Sequence, residues 1–269
     1  DENASVLEEA PSISTTATAE SPAGEYPITL NDGAAANYHF HYLGSELSIG
    51  ETTQHIDVFA VDSNATYGDD PLQIEGVATS DLAVSYSSSN PDVLEVNGTQ
   101  LKVRGAGVAV IYANQSGSAN YEAASERNAT VVVHTKELEV IAEPKSKAYL
   151  EPLPELTYHY EGFVNDENAS VLEEEPSIST TATAESVAGE YPITLNDGAA
   201  ANYHFHYLGS ELSIGETTQH IDVFAVDSNA TYGDEPLQME GVATSDLAVS
   251  YSSSNPDVLE VNGTQLKVR

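Results

Sequence analysis

The segment from Asp1 to Arg104 returns from Asp166 to Arg269, an offset of 165 residues, with four differences: Ala10 against Glu175, Pro22 against Val187, Asp70 against Glu235, and Ile74 against Met239. Self-similarity at a fixed period is the signature of tandem architecture, in which one unit is copied and set beside itself. None of the four differences alters the local alternation of apolar and polar residues, so both copies are under the same folding instructions, and identity this close implies a recently expanded array.

Turn chemistry divides each unit into two halves, with seams near Gly50-Glu51 and Thr135-Lys136. Between the seams, residues 51–135 carry short runs rich in β-branched and aromatic residues at 55–60, 72–74, 82–87, 93–96, 100–104, 108–113 and 130–134. The runs are punctuated by Tyr67-Gly68-Asp69-Asp70-Pro71, Asn90-Pro91-Asp92, Asn97-Gly98 and Gly105-Ala106-Gly107. About seven strands at such spacing predict an immunoglobulin-like sandwich. Residues 136–215 give runs at 138–142, 156–160, 177–184, 191–195, 203–208 and 211–214, with Asn196-Asp197-Gly198 and Gly209-Ser210 as turns, and predict a second small antiparallel sandwich. Helical periodicity is nowhere sustained. The expectation is an all-β chain of tandem immunoglobulin-like β-sandwich domains in an elongated array. It comprises the C-terminal part of one domain type (1–50), a complete domain (51–135), a complete second type (136–215) and the N-terminal part of another first-type domain (216–269). On this phase both ends fall inside a domain, and the terminal pieces are expected to be completed by neighbouring copies, within a longer chain or across a polymer contact.

Two families are resembled. Thr66-Tyr67-Gly68-Asp69-Asp70-Pro71-Leu72, Val84-Ser85-Tyr86-Ser87-Ser88-Ser89-Asn90-Pro91, Gly105-Ala106-Gly107 and Ser118-Ala119-Asn120-Tyr121-Glu122-Ala123-Ala124 resemble the bacterial Ig-like repeats of large surface proteins. Lys147-Ala148-Tyr149, Pro154-Glu155-Leu156-Thr157-Tyr158, Gly162-Phe163-Val164-Asn165, Ala169-Ser170-Val171-Leu172, Gly189-Glu190-Tyr191-Pro192-Ile193-Thr194 and Asn202-Tyr203 resemble the MBG-type (YGX) repeat. That family carries Tyr-Gly at its first turn, where this chain has Tyr149-Leu150. The resemblance implies an extracellular or cell-surface adhesin in which such domains form a stalk. Partners would then be neighbouring repeats of the same protein, as chain or homopolymer, with cell-surface glycans or other cells as further candidates.

With 8 Lys+Arg against 43 Asp+Glu the net charge is −35, which repels nucleic acid and anionic lipid. Salt screens such self-repulsion beyond about 10 Å, and the balance reads as a saline extracellular setting. No run approaches the ~18 apolar residues of a membrane-spanning helix, so no membrane insertion is expected of this segment. The polar, acidic opening Asp1-Glu2-Asn3-Ala4-Ser5 reads as internal sequence, not a signal peptide. Without cysteine there is no disulfide framework, thiolate zinc site or cysteine nucleophile.

No Gly-x-Ser-x-Gly elbow, His-Glu-x-x-His motif or phosphate-cradling loop is present, and no enzyme activity, catalytic residue or cofactor is expected. Paired carboxylates far apart in the chain would escape such a search. His39 and His41, repeated as His204 and His206, lie two apart in an expected strand and share one face, with Tyr38, Phe40 and Tyr42 on the core face. Solvent-facing histidines are the simpler reading; a metal pair or a pH-sensitive contact is the sharper one. Asp62-Ser63-Asn64 with Asp69-Asp70, and Glu173-Glu174-Glu175, are either solvated acidic faces or structural calcium sites, although neither has a twelve-residue calcium loop. Glycosylation sequons stand at Asn64, Asn97, Asn114, Asn128, Asn229 and Asn262, and also at Asn3 and Asn168, half of the 16 asparagines. Tyrosine, at 15 residues, is the main aromatic, and Tyr86, Tyr112 and Tyr121 are expected in core packing.

Overall fold

A computed structural model describes residues 4–269. Among the described residues the fold is all-β apart from two single-turn 3-10 helices, Ala4–Val6 and Ala169–Val171. Residues 4–50 hold β1 (Leu7–Glu9), β2 (Ser12–Thr15), β3 (Gly24–Asn31), β4 (Ala34–Ala35) and β5 (Ser45–Ile49). Next come β6 (Ile56–Val61), β7 (Asn64–Thr66), β8 (Leu72–Ala78), β9 (Ser85–Ser88), β10 (Leu94–Asn97), β11 (Gln100–Val103), β12 (Gly107–Asn114) and β13 (Arg127–His134). The following stretch holds β14 (Lys136–Ala142), β15 (Lys145–Ala148), β16 (Tyr158–Glu161), β17 (Ser177–Thr180), β18 (Gly189–Asn196), β19 (Tyr203–Leu208) and β20 (Ser210–Gly215). The last strands are β21 (Ile221–Val226), β22 (Leu237–Ala243), β23 (Leu259–Asn262) and β24 (Gln265–Val268). Two compact units result: one runs to Val140 and takes in Tyr160–Ser177 and Asp197–Tyr207, and the other holds Ile141–His159, Ile178–Asn196 and Leu208–Arg269.

Residues 51–135 form a sandwich of two four-stranded sheets, ordered β10-β11-β8-β6 and β7-β13-β12-β9. Alternation puts Ala109, Ile111 and Ala113 of β12, Val131 and Val133 of β13, Ile74 of β8 and Leu101 of β11 inward, all nearly or fully buried. Removing each of the buried Val, Ile and Leu side chains from water stabilises the fold by about 1.5–3 kcal/mol. Eight strands stand where seven runs are expected. The additional strand, β7, pairs parallel with β13 in the register Val132↔Asn64, Val133↔Ala65, His134↔Thr66. Asn-Ala-Thr carries no strand signal of its own and is recruited by the edge of β13. Conversely, residues 82–84 are not strand: Asp81 takes a left-handed φ of 57°, and Ser80 Oγ accepts from Leu82 N at 3.3 Å, closing a turn.

In residues 136–215, β16-β14-β19 form a three-stranded sheet and β15-β20-β18-β17 a four-stranded one. Leu138 and Val140 on β14, Ile193 and Leu195 on β18, and Leu212 and Ile214 on β20 are the buried positions. The purely antiparallel expectation is corrected by β15, which runs parallel to β20 in the register Lys145↔Leu212 through Ala148↔Gly215. Within this strand Lys147 is 8% exposed, its Nζ donating to the carbonyls of Glu151 at 2.9 Å and Ala184 at 3.0 Å. Residues 181–184 leave the strand at a turn in which Thr183 N donates to Ser186 Oγ at 2.9 Å.

After β15 the chain turns through Tyr149-Leu150, with Glu151 N donating to Ala148 O at 3.2 Å. Leu150 takes φ 67° at the turn position that calls for positive φ, so the place where the YGX pattern carries glycine is filled by a residue strained there by about 1–2 kcal/mol.

Candidate functional site

Two features that gather polar chemistry lie at the seam between β13 and β14. Only Thr135 separates these strands. Across the seam the core is continuous: Tyr67, Leu138 and Tyr203 belong to one buried cluster with Ala65, Val131 and Val133. Tyr67 follows β7 and donates its hydroxyl to Glu167 Oε1 at 2.7 Å, while Tyr203 on β19 donates to Glu167 Oε2 at 2.5 Å. The Tyr203 hydroxyl also accepts from Val164 N at 3.1 Å. The two tyrosine rings meet edge to face at 5.6 Å, and Phe163 packs edge-on to Tyr203 at 5.4 Å. Such aromatic pairs contribute about 0.5–1.5 kcal/mol beyond their buried area, and hydrogen bonds to a charged group about 1.5–3 kcal/mol each.

Burial, followed by the hydrogen bond to Glu167, raises the pKa of both Tyr67 and Tyr203 above the ordinary phenol value. Gly68 closes the contact. Its φ is 91°, and a Cβ there would meet Val164 Cγ2 at 2.6 Å, so neither the backbone nor the space admits a side chain. Asn202 Oδ1 accepts from Ala106 N at 2.9 Å, and Lys136 N donates to Asn202 O at 2.9 Å, tying the seam from a second side.

The second feature lies on the exposed face of the β14–β19 sheet. His204 and His206 project outward, with Tyr203 buried and Phe205 half-buried on the other face, as alternation predicts. Outward-facing Glu137 and Glu139 of the neighbouring strand stand beside them. His206 Nδ1 is 3.9 Å from Glu137 Oε1 and 3.8 Å from Glu139 Oε1, and His204 Nε2 is 3.7 Å from Glu137 Oε2. His204 Nδ1 lies 3.0 Å from Thr135 Oγ1. The glutamates were outside the sequence-based candidates; their placement at alternate positions of a strand was legible, but not which strand lies beside it.

The first-copy histidines differ. His39 and His41 are exposed and lie outside any strand, which corrects the expectation of a strand there. The sandwich strand that flanks β19 has no counterpart among residues 4–50. Among the described residues, Glu137, Glu139 and His206 are the trio whose ligand atoms come together, all within 4.8 Å of one another. The two acidic clusters are used locally: Asp69 Oδ2 accepts from Thr66 N at 2.7 Å, Asn64 Nδ2 donates to Ser63 Oγ at 3.0 Å, and Glu173 to Glu175 face solvent. Of the sequon asparagines, Asn64, Asn97, Asn128, Asn168, Asn229 and Asn262 are exposed, whereas Asn114 is half-buried with Nδ2 donating to Glu126 Oε2 at 3.0 Å. Asn3 lies outside the described residues. Tyr86, Tyr112 and Tyr121 are half-buried, and Tyr86 packs against the core and stacks on Phe59 at 6.4 Å.

No curated protein matches the chain. Among solved structures, the surface layer protein SbsC, domains 1–6, is similar over 90% of this chain and 40% of its own, at 9% identity and a TM-score of 0.27. Drosophila N-cadherin EC1-4 is similar over 91% of this chain and 74% of its own, at 11% identity and a TM-score of 0.23. The N-terminal eight Ig domains of Down Syndrome Cell Adhesion Molecule are similar over 82% of this chain and 31% of their own, at 11% identity and a TM-score of 0.23. The chain thus spans well under half of the SbsC structure. The family model of the MBG domain (YGX type) matches residues 1–48 and 138–213. At those two stretches the chain carries MBG domains of the YGX type, with an immunoglobulin-like sandwich between them.

Proposed function

We propose that this chain is a stretch of structural repeats from a secreted or cell-surface protein, forming a stalk that supplies reach and mechanical strength and no catalysis. The observation that carries the reading is the seam. A near-verbatim 165-residue repeat multiplies one two-domain unit, and within that unit a single residue, Thr135, links two strands whose flanking cores are continuous through Tyr67, Glu167 and Tyr203. Flexible linkers would let neighbouring domains hinge; a one-residue link with buried aromatic contacts resists it. The charge of −35 keeps neighbouring stalks apart, and exposed sequon asparagines offer places for glycans that hinder proteolysis. Neighbouring repeats are the principal partners on this reading.

The test is the intact polypeptide. Denaturing gel analysis and immunolabelling of unpermeabilised cells should find one very long chain at the surface, and single-molecule pulling should give a series of similar unfolding steps. A short protein confined inside cells overturns the proposal. A filament of small subunits joined by strand addition draws on one observation, the exposure of Ile13, Tyr38, Leu43 and Leu47 in residues 4–50. Dissociated material near 28.5 kDa would favour it. Multivalent glycan binding remains the third reading, and a glycan array probed with one complete unit decides it.

A further inference from the structure

The face formed by β14 and β19 holds two imidazoles and two carboxylates at spacings that hydrogen bonding does not explain. At 3.7–3.9 Å the histidine nitrogens and glutamate oxygens are too far apart to bond directly. They are close, however, to the separation of donors sharing one ion. Zinc–nitrogen and zinc–oxygen bonds near 2.0–2.2 Å in tetrahedral array put neighbouring donor atoms about 3.4 Å apart. Rotation of these exposed side chains closes the difference.

We propose that Glu137, Glu139 and His206, whose ligand atoms already lie together, bind a divalent cation of the zinc class, and that rearrangement of the Glu137 carboxylate brings in His204 as fourth donor. The donor set argues for the class: imidazole nitrogen with carboxylate oxygen suits zinc and its transition-metal neighbours, whereas calcium and magnesium take oxygen alone. Positioning argues for a prepared site. His204 Nδ1–H can donate to Thr135 Oγ1, which fixes the ring and leaves the Nε2 lone pair facing the carboxylate of Glu137. Both histidines sit on one strand and both glutamates on its neighbour, so the backbone ladder, not a loop, sets their spacing. A cation here would join the first residues of β14 to β19 beside the one-residue seam and offset two of the chain's many negative charges. The inference is independent of whether the protein lies at a cell surface.

The chain contains its own control, since His39 and His41 repeat the histidine pair without the two glutamates beside it. The experiment is calorimetric titration of zinc chloride into the chelator-stripped full chain at neutral pH, with the visible absorption of bound cobalt(II) reporting geometry. About one equivalent should bind per chain, with a tetrahedral cobalt spectrum. His204→Ala/His206→Ala and Glu137→Gln/Glu139→Gln should each abolish saturable uptake, Thr135→Val should weaken it about 10-fold, and His39→Ala/His41→Ala should leave it unchanged. Circular dichroism of each variant reports that the sheets remain. The proposal is overturned by absence of saturable uptake, by retention of binding in His204→Ala/His206→Ala or in Glu137→Gln/Glu139→Gln, or by displacement of zinc with equimolar calcium.

Discussion

Residues 4–50 and 169–215 are the same sequence at all but two positions, Ala10 against Glu175 and Pro22 against Val187, yet they do not have the same structure. Residues 203–208 form β19, hydrogen-bonded beside β14, and Tyr203 is 4% exposed. Their counterparts at 38–43 form no strand, and Tyr38 is 56% exposed. Leu212 is fully buried while its counterpart Leu47 is 39% exposed. The second half of the repeat behaves alike: β7 and β9 have no equivalents at 229–231 and 250–253, and Tyr232, counterpart of the buried Tyr67, is 81% exposed. In each case the strand appears only where a ladder partner lies beside it.

What survives in both copies is local. Asp32 and Asp197 take φ 63° and 58°, and Ser12 and Ser177 each donate to that aspartate at 2.8 Å. Phe40 stacks on Tyr42 at 5.9 Å and Phe205 on Tyr207 at 5.8 Å. The hairpins β2–β3 and β3–β5 form as β17–β18 and β18–β20 do. Turns and hairpins are closed by contacts within about twenty-five residues, whereas a strand whose partner is remote needs that partner to satisfy its backbone groups.

The comparison can be broken most directly by hydrogen exchange. Backbone amides of 203–208 should be protected at least about 100-fold more than those of 38–43. Equal protection would show that the local sequence suffices. Placing a copy of residues 136–165 ahead of Asp1 should raise protection at 38–43 towards that of β19.

Substitution of the paired glycines isolates the seam contact. Gly68→Ala combines left-handed strain with collision against Val164 and should cost about 3 kcal/mol in a denaturant titration. Gly233→Ala, with φ 93° and nothing within 4 Å, should cost only the strain, about 1 kcal/mol. Equal costs would remove the contact from the account.

The tyrosine pair should show the same asymmetry. Tyr67→Phe and Tyr203→Phe should each destabilise by about 1.5–2 kcal/mol, through loss of a hydrogen bond to the Glu167 carboxylate, whereas Tyr232→Phe should be near neutral. Tyr67 and Tyr203 have raised pKa values in the fold, so their protonated forms are favoured there. Their contribution is complete below the phenol value of 10.0 and is lost as pH rises through the folded values. Ultraviolet titration should find two phenols ionising late, in step with unfolding above pH 10.0. Simultaneous ionisation of all tyrosines would contradict this.

The smallest effect concerns the turn that departs from the YGX pattern. Leu150→Gly should relieve positive-φ strain and stabilise by about 0.5–1 kcal/mol in thermal unfolding, the gain being limited by the greater freedom of glycine in the unfolded chain.

Legibility followed the range of the interaction. The alternation of 203–208 correctly separated His204 and His206 from Tyr203 and Phe205, and Tyr67-Gly68-Asp69 was readable as a turn. The glutamates beside the histidines were not readable, because Glu137 and Glu139 reach them only through a strand pairing whose order no local pattern specifies. Lys147 was unreadable for the same reason: nothing nearby in sequence announces that the carbonyls of Glu151 and Ala184 converge on its ammonium group. Parallel β7 and β15, short and weak in propensity, exist because stronger neighbours offered an edge.

By itself the sequence determined the repeat, the all-β character, the hairpins and turns, and the face on which each strand residue stands, since all of these depend on side-chain chemistry and on contacts between near neighbours. Only the tertiary structure decided whether a given copy of the repeat becomes strand or remains irregular, which tyrosines are buried, and which carboxylates face the histidines. The physical reason is that backbone hydrogen bonds and apolar burial are completed by partners remote in the chain, so identical residues reach different states when those partners differ.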